Sequence, residues 1–174
     1  MLQLAAVFSD HMVLQREKNI VVFGIGEVGA IITVSIPERK LYASTTVKED
    51  GSWRLQFPPQ PAGTGLSLFA KDSHTEIHFQ DVAIGEVWLA GGQSNMELTA
   101  GRVTDKFAEE IARDENPMIR YVKIPLGNDL HGPKDDLPGT DWMSLTEETA
   151  PSFSALAYFF AKEMYRETQV PVGI

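Results

Sequence analysis

The sequence VAIGEVWLAGGQSNM, residues 82–96, decides how the chain is organised. Its first nine residues are two nearly continuous apolar runs, which is typical of a strand covered on both faces. Gly91 and Gly92 then end the strand, and Ser94 follows where the chain turns toward a helix. Open α/β sheets place reactive groups at this position, beyond the carboxyl end of a strand. The stretch therefore marks both a change of architecture and a candidate site.

The residues before this stretch have the pattern of many short strands. Residues 41–47 alternate between apolar and polar or small side chains, a turn sequence follows at 49–51, and alternate residues from Trp53 to Phe57 share one apolar face. This pattern predicts a hairpin with one solvent-exposed face. Short strands separated by turns, without a helix, indicate a β-sandwich, which we assign to residues 1–83.

The residues after the stretch alternate helices with strands. A first helix, capped by Thr104 or Asp105, is expected to end before Pro117 and to carry one apolar face, formed by Phe107, Ala108, Ile111 and Ala112. A strand is expected over residues 118–124 and a long loop over 127–139. Strand, helix and strand in this order predict an α/β region, which we assign to residues 84–174.

The last helix has the clearest pattern of the chain. Ser152 is its expected N-cap, and Pro171 ends it. Apolar residues at helical spacing form a broad stripe, composed of Phe153, Leu156, Ala157, Phe160, Ala161 and Met164. Residues 172–174 then resemble the opening of another buried strand.

Composition excludes several classes of function. The chain has 174 residues, 43% of them apolar, a formal net charge of -9 and no cysteine. Its Lys and Arg residues do not cluster, which argues against nucleic acid as a partner. The absence of a long apolar run argues against membrane insertion, and the absence of a signal peptide favours the cytoplasm unless an export signal was removed. Without cysteine, Ser, His and carboxylates are left for catalysis.

Ser94 has two interpretations at the residue level. A serine at a strand-to-helix turn projects its hydroxyl from the sheet, and the turn residues Gly92, Gln93 and Asn95 lie where backbone amides donate to an oxyanion. Such an arrangement suits acyl transfer. The alternative is a plain loop in which Ser94 is only an N-cap. The Gly-x-Ser-x-Gly elbow of the common α/β-hydrolases is absent, because residue 96 is Met.

Three motifs in order identify a closer relationship. They are FSDHMVLQ at 8–15, VAIGEVWLAGGQSNM at 82–96 and Phe153-Ser154-Ala155 at the start of the last helix. Together they resemble the sialate O-acetylesterase family of SGNH hydrolases, over essentially the whole chain. The resemblance implies a mixed α and β fold, in which a β-sandwich-like domain precedes the start of a flavodoxin-like three-layer α/β domain, truncated at the end of this chain.

The resemblance also implies a function. Members of the family remove acetyl groups from sugar hydroxyls without a metal or organic cofactor, and Ser94 matches their nucleophile. Their catalytic histidine lies in a later Asp-x-x-His motif, and their further oxyanion donors are a later glycine and asparagine, so these parts are expected beyond this chain. The implied partner is an acetylated sugar or glycan. An open sheet edge also predicts self-association or pairing with the missing C-terminal portion.

Other polar and aromatic residues carry weaker signals. The four histidines, His11, His74, His78 and His131, are not in an Asp-x-x-His setting, and strand alternation around His78 argues against a His74–His78 metal pair. Gly127-Asn128-Asp129 is interpreted as a turn. Trp53 and Trp88 are expected in the core, and Trp142 is the candidate for an aromatic wall against the substrate, with the core as its alternative.

Two further hypotheses remain open at this level. In the first hypothesis, the chain is a catalytically silent carbohydrate-binding or interaction module. In the second, it is one half of a split esterase whose other half is a separate polypeptide. The motif Phe153-Ser154-Ala155 is likewise open, because the helix start either faces the active site or belongs to the core.

Overall fold

The computed structural model describes residues 1–125, 132, 136 and 139–174. The strands of this part are β1 (Gln3–Leu4), β2 (Val13–Gln15), β3 (Ile20–Ile25), β4 (Ile31–Ile36), β5 (Leu41–Thr46), β6 (Ser52–Phe57), β7 (Gly63–Lys71), β8 (Glu76–Val87), β9 (Asn116–Val122), β10 (Trp142–Leu145) and β11 (Val172–Gly173). The helices are α1 (Ser94–Glu97), α2 (Thr104–Ala112) and α3 (Ala155–Thr168), with short 3-10 helices at Pro37–Arg39, Ala100–Arg102 and Ala150–Ser152. None of these helices has the length and apolar character needed to cross a membrane.

The strands form two sheets. The smaller has the order β1-β3-β6, and the larger has the order β10-β9-β11-β8-β7-β4-β5, with β2 also paired to β8. The alternate residues of β4 and β6 that point inward are fully buried, among them Trp53 as expected, and they join one apolar cluster that also takes in residues of β7 and β8. Period-two burial on both sheets produces the sandwich-like arrangement that the alternation predicts.

The predicted hairpin of residues 41–57 is wrong. β5 pairs with β4, whereas β6 pairs with β3 in the other sheet. Residues 48–52 form the turn between them, in which the Gly51 amide donates to the Lys48 carbonyl over 3.0 Å. Alternation reports which face of a strand is buried, and it is the same for a hairpin and for a chain that crosses from one sheet to the other.

β8 carries the chain from the sandwich into a parallel sheet. Its first part pairs antiparallel with β7, residues 83–85 pair with β2, and Glu86 and Val87 pair with β11 in parallel. β11 lies between β8 and β9, and β10 is antiparallel to β9. The buried strand expected at 172–174 is therefore confirmed. The domain boundary between residues 83 and 84 stays a prediction, and it falls inside this strand.

The last helix differs from its prediction at both the cap and the face. Ser154, not Ser152, is the N-cap, and its hydroxyl accepts from the Ala157 amide over 3.4 Å. The buried face consists mainly of Ala155, Ala157, Tyr158 and Ala161. Leu156 and Phe160 are 58% and 41% exposed. The apolar stripe is wider than the surface that β9 and β11 cover, and the sequence shows the stripe but not its cover.

Two smaller expectations about the α/β region also change. Of the apolar face predicted for α2, only Ile111 is buried, and Phe107 is 39% exposed. Val103 is at the N-cap position of α2, rather than Thr104 or Asp105 as expected. The strand expected at 118–124 is β9, shifted to Asn116–Val122.

Arg120 of β9 joins the parallel sheet to the sandwich. Its side chain is only 2% exposed and donates to the carbonyl of Pro117 (3.1 Å), the carbonyl of His11 (3.0 Å), the carbonyl of Asp81 and the Asp81 carboxylate (2.9 Å). His11 and Asp81 both have left-handed backbones, with φ of 64° and 51°. Arg120 therefore satisfies carbonyl groups at two unfavourable backbone positions.

We expect Arg120→Ala to lower the free energy of unfolding by about 1–3 kcal/mol, because it leaves partly buried carbonyls and the Asp81 Oδ1 without the guanidinium donor, while His11 stays paired with Asp81 Oδ2. Urea unfolding followed by tryptophan fluorescence measures the change. Arg54→Ala is the matched control, since Arg54 is an exposed strand arginine without an ion pair in the described structure. Equal effects of the two substitutions would contradict the role of Arg120.

A polar cluster joins α2 to α3. The Tyr158 hydroxyl donates to the Asp114 carboxylate, and the Lys162 ammonium contacts Asp114 at 2.7 Å and Glu110 at 2.5 Å. Burial and the hydrogen bond to Asp114 raise the pKa of Tyr158 to about 12, against the opposing effect of Lys162. Burial opposes the charge of Lys162, yet hydrogen bonds to Asp114, Glu110 and Tyr158 outweigh it and raise the pKa of Lys162.

The free energy of unfolding is expected to fall as the pH rises from about 10 to about 12. In this range the unfolded tyrosine has lost its proton and folded Tyr158 has kept it, so raising the pH favours unfolding. Tyr158→Phe should flatten this part of the profile, measured by urea unfolding at several alkaline pH values. Tyr42→Phe, at a 66% exposed position, is the control and should leave the slope of the parent.

Candidate active site

Ser94 lies just beyond the carboxyl end of β8. The last backbone hydrogen bond between the β8 end and β11 joins the Trp88 amide to the Gly173 carbonyl over 2.9 Å. Helix α1 begins at Ser94, six residues after Trp88. Gly91 to Asn95 are all exposed. The N-cap position of α1 is Gln93, and the Ser94 hydroxyl has no hydrogen-bond partner among the described residues. The interpretation of Ser94 as an N-cap is therefore wrong, and its hydroxyl is free.

The amides of the turn divide into bonded and free groups. The Met96 and Glu97 amides donate to the Gln93 carbonyl over 2.9 and 3.1 Å. The amides of Ser94 and Asn95 have no acceptor in the described part of the chain. In acyl transfer a serine hydroxyl attacks the carbonyl carbon, and neighbouring amide donors stabilise the oxyanion that forms. The turn offers a free hydroxyl and two free amides side by side in the described residues.

An open cavity of about 520 Å³ lies beside this turn. Gly91, Gly92, Met96 and Glu97 contribute to its lining from the turn, and Ser94 itself is not among the lining residues. The remaining lining is mostly apolar, formed by Val7, Val87, Trp88, Leu89, Ala90, Tyr121, Val122, Lys123, Ile124, Pro125, Trp142, Ser154 and Ile174. Ser94 thus belongs to a turn whose neighbouring residues line an apolar cavity.

Two tryptophans line the cavity, and the exposure of each differs from what was expected: Trp88 is exposed, and Trp142 is buried. Trp88 is 43% exposed and meets Phe160 edge to face at 5.3 Å, so its assignment to the core is wrong. β8 ends at Val87, and a side chain beyond a strand's last paired residue loses its cover. Trp142 is 5% exposed, and its indole N–H donates to the Val7 carbonyl over 2.8 Å. Its role as a substrate wall stays a prediction.

The described histidines lie away from Ser94. His11 pairs with Asp81 over 2.8 Å, and His78 stacks on Phe69 with the ring centres 4.1 Å apart. Asp81 precedes the end of β8 by six residues, about 20 Å along an extended strand. No described histidine is hydrogen bonded to Ser94. A general base for Ser94 is therefore not found in the described residues.

The remaining predictions concern metal ligands and the long loop. Within the described residues, no group of three or more His, Asp or Glu is arranged to hold a metal ion. His74 lies in the turn that Asp72 closes by accepting from the His74 amide, whereas His78 is on β8. His131 and Gly127-Asn128-Asp129 lie outside the described residues.

Sequence analysis did not find the contact behind the turn. Ser154 is 3% exposed, and its hydroxyl donates to the Met96 sulfur over 3.6 Å. Beneath it, Phe153 stacks on Tyr121, with ring centres 4.7 Å apart, and burial raises the pKa of Tyr121 although a hydrogen bond with the Ser154 backbone opposes this. The motif at 153–155 was the available signal: Phe153 is in the core and Ser154 lines the cavity. That this cavity is the active site stays a prediction.

The two glycines of the turn are expected to respond differently to alanine. A Cβ at Gly91 meets nothing within 4 Å, whereas one at Gly92 lies 3.1 Å from the Met96 Cβ. Both substitutions remove the same chain entropy from the unfolded state. Gly92→Ala should therefore be less stable than Gly91→Ala by about 1 kcal/mol, from the displaced Met96. Thermal unfolding by circular dichroism measures the difference, and indistinguishable variants would contradict the contact.

Comparison with known proteins bears on both parts of the chain. The family model described as a bacterial Ig domain matches residues 10–77, in agreement with the sandwich. Sialate O-acetylesterases of Mus musculus and Homo sapiens are 28% and 27% identical over 99% of the chain, which spans only 35% and 36% of their length. The crystal structure of a carbohydrate acetylesterase from Xanthomonas citri is 33% identical, with a TM-score of 0.93 over 99% of this chain and 39% of its own. The fold class inferred from the three motifs is confirmed, and so is the resemblance: the chain is similar over almost its whole length to an N-terminal portion of the sialate O-acetylesterases.

Proposed function

We propose that these 174 residues supply the nucleophile of a carbohydrate acetylesterase, and that the nucleophile is Ser94. The observation that carries the proposal is the unbonded hydroxyl beyond the carboxyl end of β8, next to two unbonded amides in a turn that lines an apolar cavity. The names of the relatives given above describe them as esterases that act on acetylated sugars. The chain spans about a third of their length, so the activity belongs to the whole protein.

The chemistry follows the usual course of acyl transfer. The Ser94 oxygen attacks the acetyl carbonyl carbon, and a general base takes the hydroxyl proton. The carbonyl oxygen becomes an oxyanion, which the free amides of Ser94 and Asn95 stabilise by hydrogen bonds. The carbon–oxygen bond to the sugar then breaks, and the sugar oxygen receives the proton. Water attacks the acetyl-enzyme, acetate leaves, and Ser94 recovers its proton.

The side chains of the turn suit a sugar ester. The side chains of Gln93 and Asn95 are exposed and have no hydrogen-bond partner in the described structure, so both are free to bond to sugar hydroxyls. The cavity behind them is mainly apolar, which suits the acetyl methyl group. Neither feature distinguishes one sugar from another, so the proposed substrate class is an acetylated sugar or glycan.

The general base is proposed to come from outside the described residues. Apolar side chains near the cavity support the pairing of this surface with further polypeptide: Leu89 is 88% exposed, and Leu156 and Phe160 are exposed on α3. Large apolar side chains that cluster at a surface are typical of a face that another segment covers. An extension of the chain or a second polypeptide would bring the base to Ser94 across this face.

A non-catalytic binding module is the less favoured function. The relatives that match across the chain are named as esterases, and the turn at Ser94 leaves a serine hydroxyl and two amides without partners in the described residues. A binding module has no need for a serine hydroxyl and two amides left free at one turn.

The test is hydrolysis of an aryl acetate by a longer polypeptide that carries these residues. Ser94→Ala should lower kcat/KM by at least about a thousandfold, because it removes the group that forms the acetyl-enzyme. Ser73→Ala is the control, since Ser73 is an exposed serine without a side-chain partner in the described structure. Rapid quenching followed by mass spectrometry should find one acetyl group on the peptide that contains Ser94.

Retention of the parent rate by Ser94→Ala would show that another group is the nucleophile. An equal loss in Ser73→Ala would show that the effect is not specific to the turn. A Ser94-dependent rate without a trapped acetyl group would instead assign Ser94 a role in binding.

A further inference from the structure

The segment that follows the nucleophile turn is bonded to the segment that opens α3. The Ala155 amide donates to the Leu98 carbonyl over 2.7 Å, and the Ala100 amide donates to the Phe153 carbonyl over 2.8 Å. Thr99 and Ser154 form an isolated antiparallel bridge between these two bonds. The exit of the turn is thereby fixed by backbone bonds to residues more than fifty positions later.

Ser154 adds a side-chain contact to this backbone connection. It is buried, and its hydroxyl accepts from the Ala157 amide and donates to the Met96 sulfur. A hydroxyl has one proton to donate, and here the proton points to the Met96 sulfur while the oxygen accepts from the Ala157 amide. The two bonds together fix one orientation of the hydroxyl. Met96 in turn lies close to Gly92: a Cβ added at Gly92 would be 3.1 Å from the Met96 Cβ. Ser94 lies between Gly92 and Met96 in the chain, and Ser154 contacts Met96.

The connection is also anchored to the sheet. Phe153 is 1% exposed and stacks on Tyr121 of β9, the strand next to β11. A displacement of the Ser154 hydroxyl therefore requires movement of either the α3 start or the packed Phe153. Ser94 itself makes no side-chain bond in the described structure, so its position depends on these neighbours.

We propose that Ser154 is a positioning residue for Ser94 and acts through Met96. The Ser154–Met96 contact holds α1 so that the Ser94 hydroxyl and the two free amides keep a fixed relation to the cavity. This inference rests on the proposed function for its effect on catalysis. Its effect on the order of the turn does not, and the two are measured separately.

Four variants separate the positioning role from the capping role. Ser154→Ala removes both the cap and the donor, whereas Ser154→Thr keeps a hydroxyl for both. Met96→Leu removes the sulfur acceptor with little change of volume and leaves the cap of α3 intact. Ser152→Ala is the matched control: it is a nearby serine whose hydroxyl donates to the Thr149 carbonyl over 2.7 Å without contact to the turn.

Amide hydrogen exchange in the 174-residue chain tests the order of the turn. The amides of Met96, Glu97 and Leu98 are bonded within the turn, so their exchange reports its opening. We expect exchange about tenfold faster in Ser154→Ala and in Met96→Leu, and parent rates in Ser154→Thr and Ser152→Ala. Exchange in Met96→Leu equal to the parent, or the same acceleration in Ser152→Ala, would overturn the inference.

Steady-state kinetics of the longer polypeptide tests the effect on catalysis. Misorientation of a nucleophile lowers kcat and leaves ground-state binding in place. We therefore expect kcat to fall about tenfold in Ser154→Ala and Met96→Leu, with KM within about twofold and with recovery in Ser154→Thr. Faster exchange without a loss of kcat would overturn the catalytic role. If Ser94→Ala leaves hydrolysis intact, the proposed function fails instead, and the exchange result still decides whether Ser154 orders the turn.

Discussion

Strand β8 is paired along its length with partners from both parts of the chain, and the rest of the structure depends on this ladder. β7 and β2 bond to its sandwich portion, and β11 bonds to its last two residues. Gly85 stands where the two pairings meet, and a Cβ there would lie 2.0 Å from the Pro171 carbonyl oxygen. A strand that is continuous through this point places the end of β8 in a defined position relative to the sandwich. The turn that contains Ser94, the proposed nucleophile, begins from that end.

Strand pairing of β8 leaves two residues with left-handed backbones and partly buried carbonyl groups without a strand partner. Arg120 donates to these carbonyls. Asp81 sits on β8 with a left-handed backbone, and the neighbouring His11 has the same conformation. Arg120 reaches both residues from β9, the strand next to β11. It therefore stabilises these two left-handed positions of the sandwich. An arginine suits this task because its guanidinium presents several donors in a fixed plane. The two parts of the chain are thus joined by polar bonds as well as by β8.

Sequence patterns predicted the elements better than their partners. Alternation located the inward faces of β5 and β6, yet it is silent on pairing, and these strands belong to different sheets. The α3 stripe was visible, but Leu156 and Phe160 are exposed because apolar spacing does not show what covers a helix. Ser94 was singled out because its motif is local, and its role as the nucleophile stays a prediction. The Ser154–Met96 bond joins residues 58 positions apart, and only the fold brings them together.

Most of the described hydrogen bonds of the turn that contains Ser94, the proposed nucleophile, are made by its neighbours. The Gln93 carbonyl accepts the bonds that close α1, the Leu98 carbonyl and the Ala100 amide bond to the start of α3, and Met96 contacts Ser154. Among the described bonds, Ser94 contributes its carbonyl, which accepts from the Leu98 amide. Its hydroxyl and its amide, the two groups that the proposed acyl transfer needs, make no hydrogen bond in the described part of the chain. A nucleophile that also held its own loop would have to break that bond in order to react, and this arrangement avoids that cost because the holding contacts lie on the neighbours.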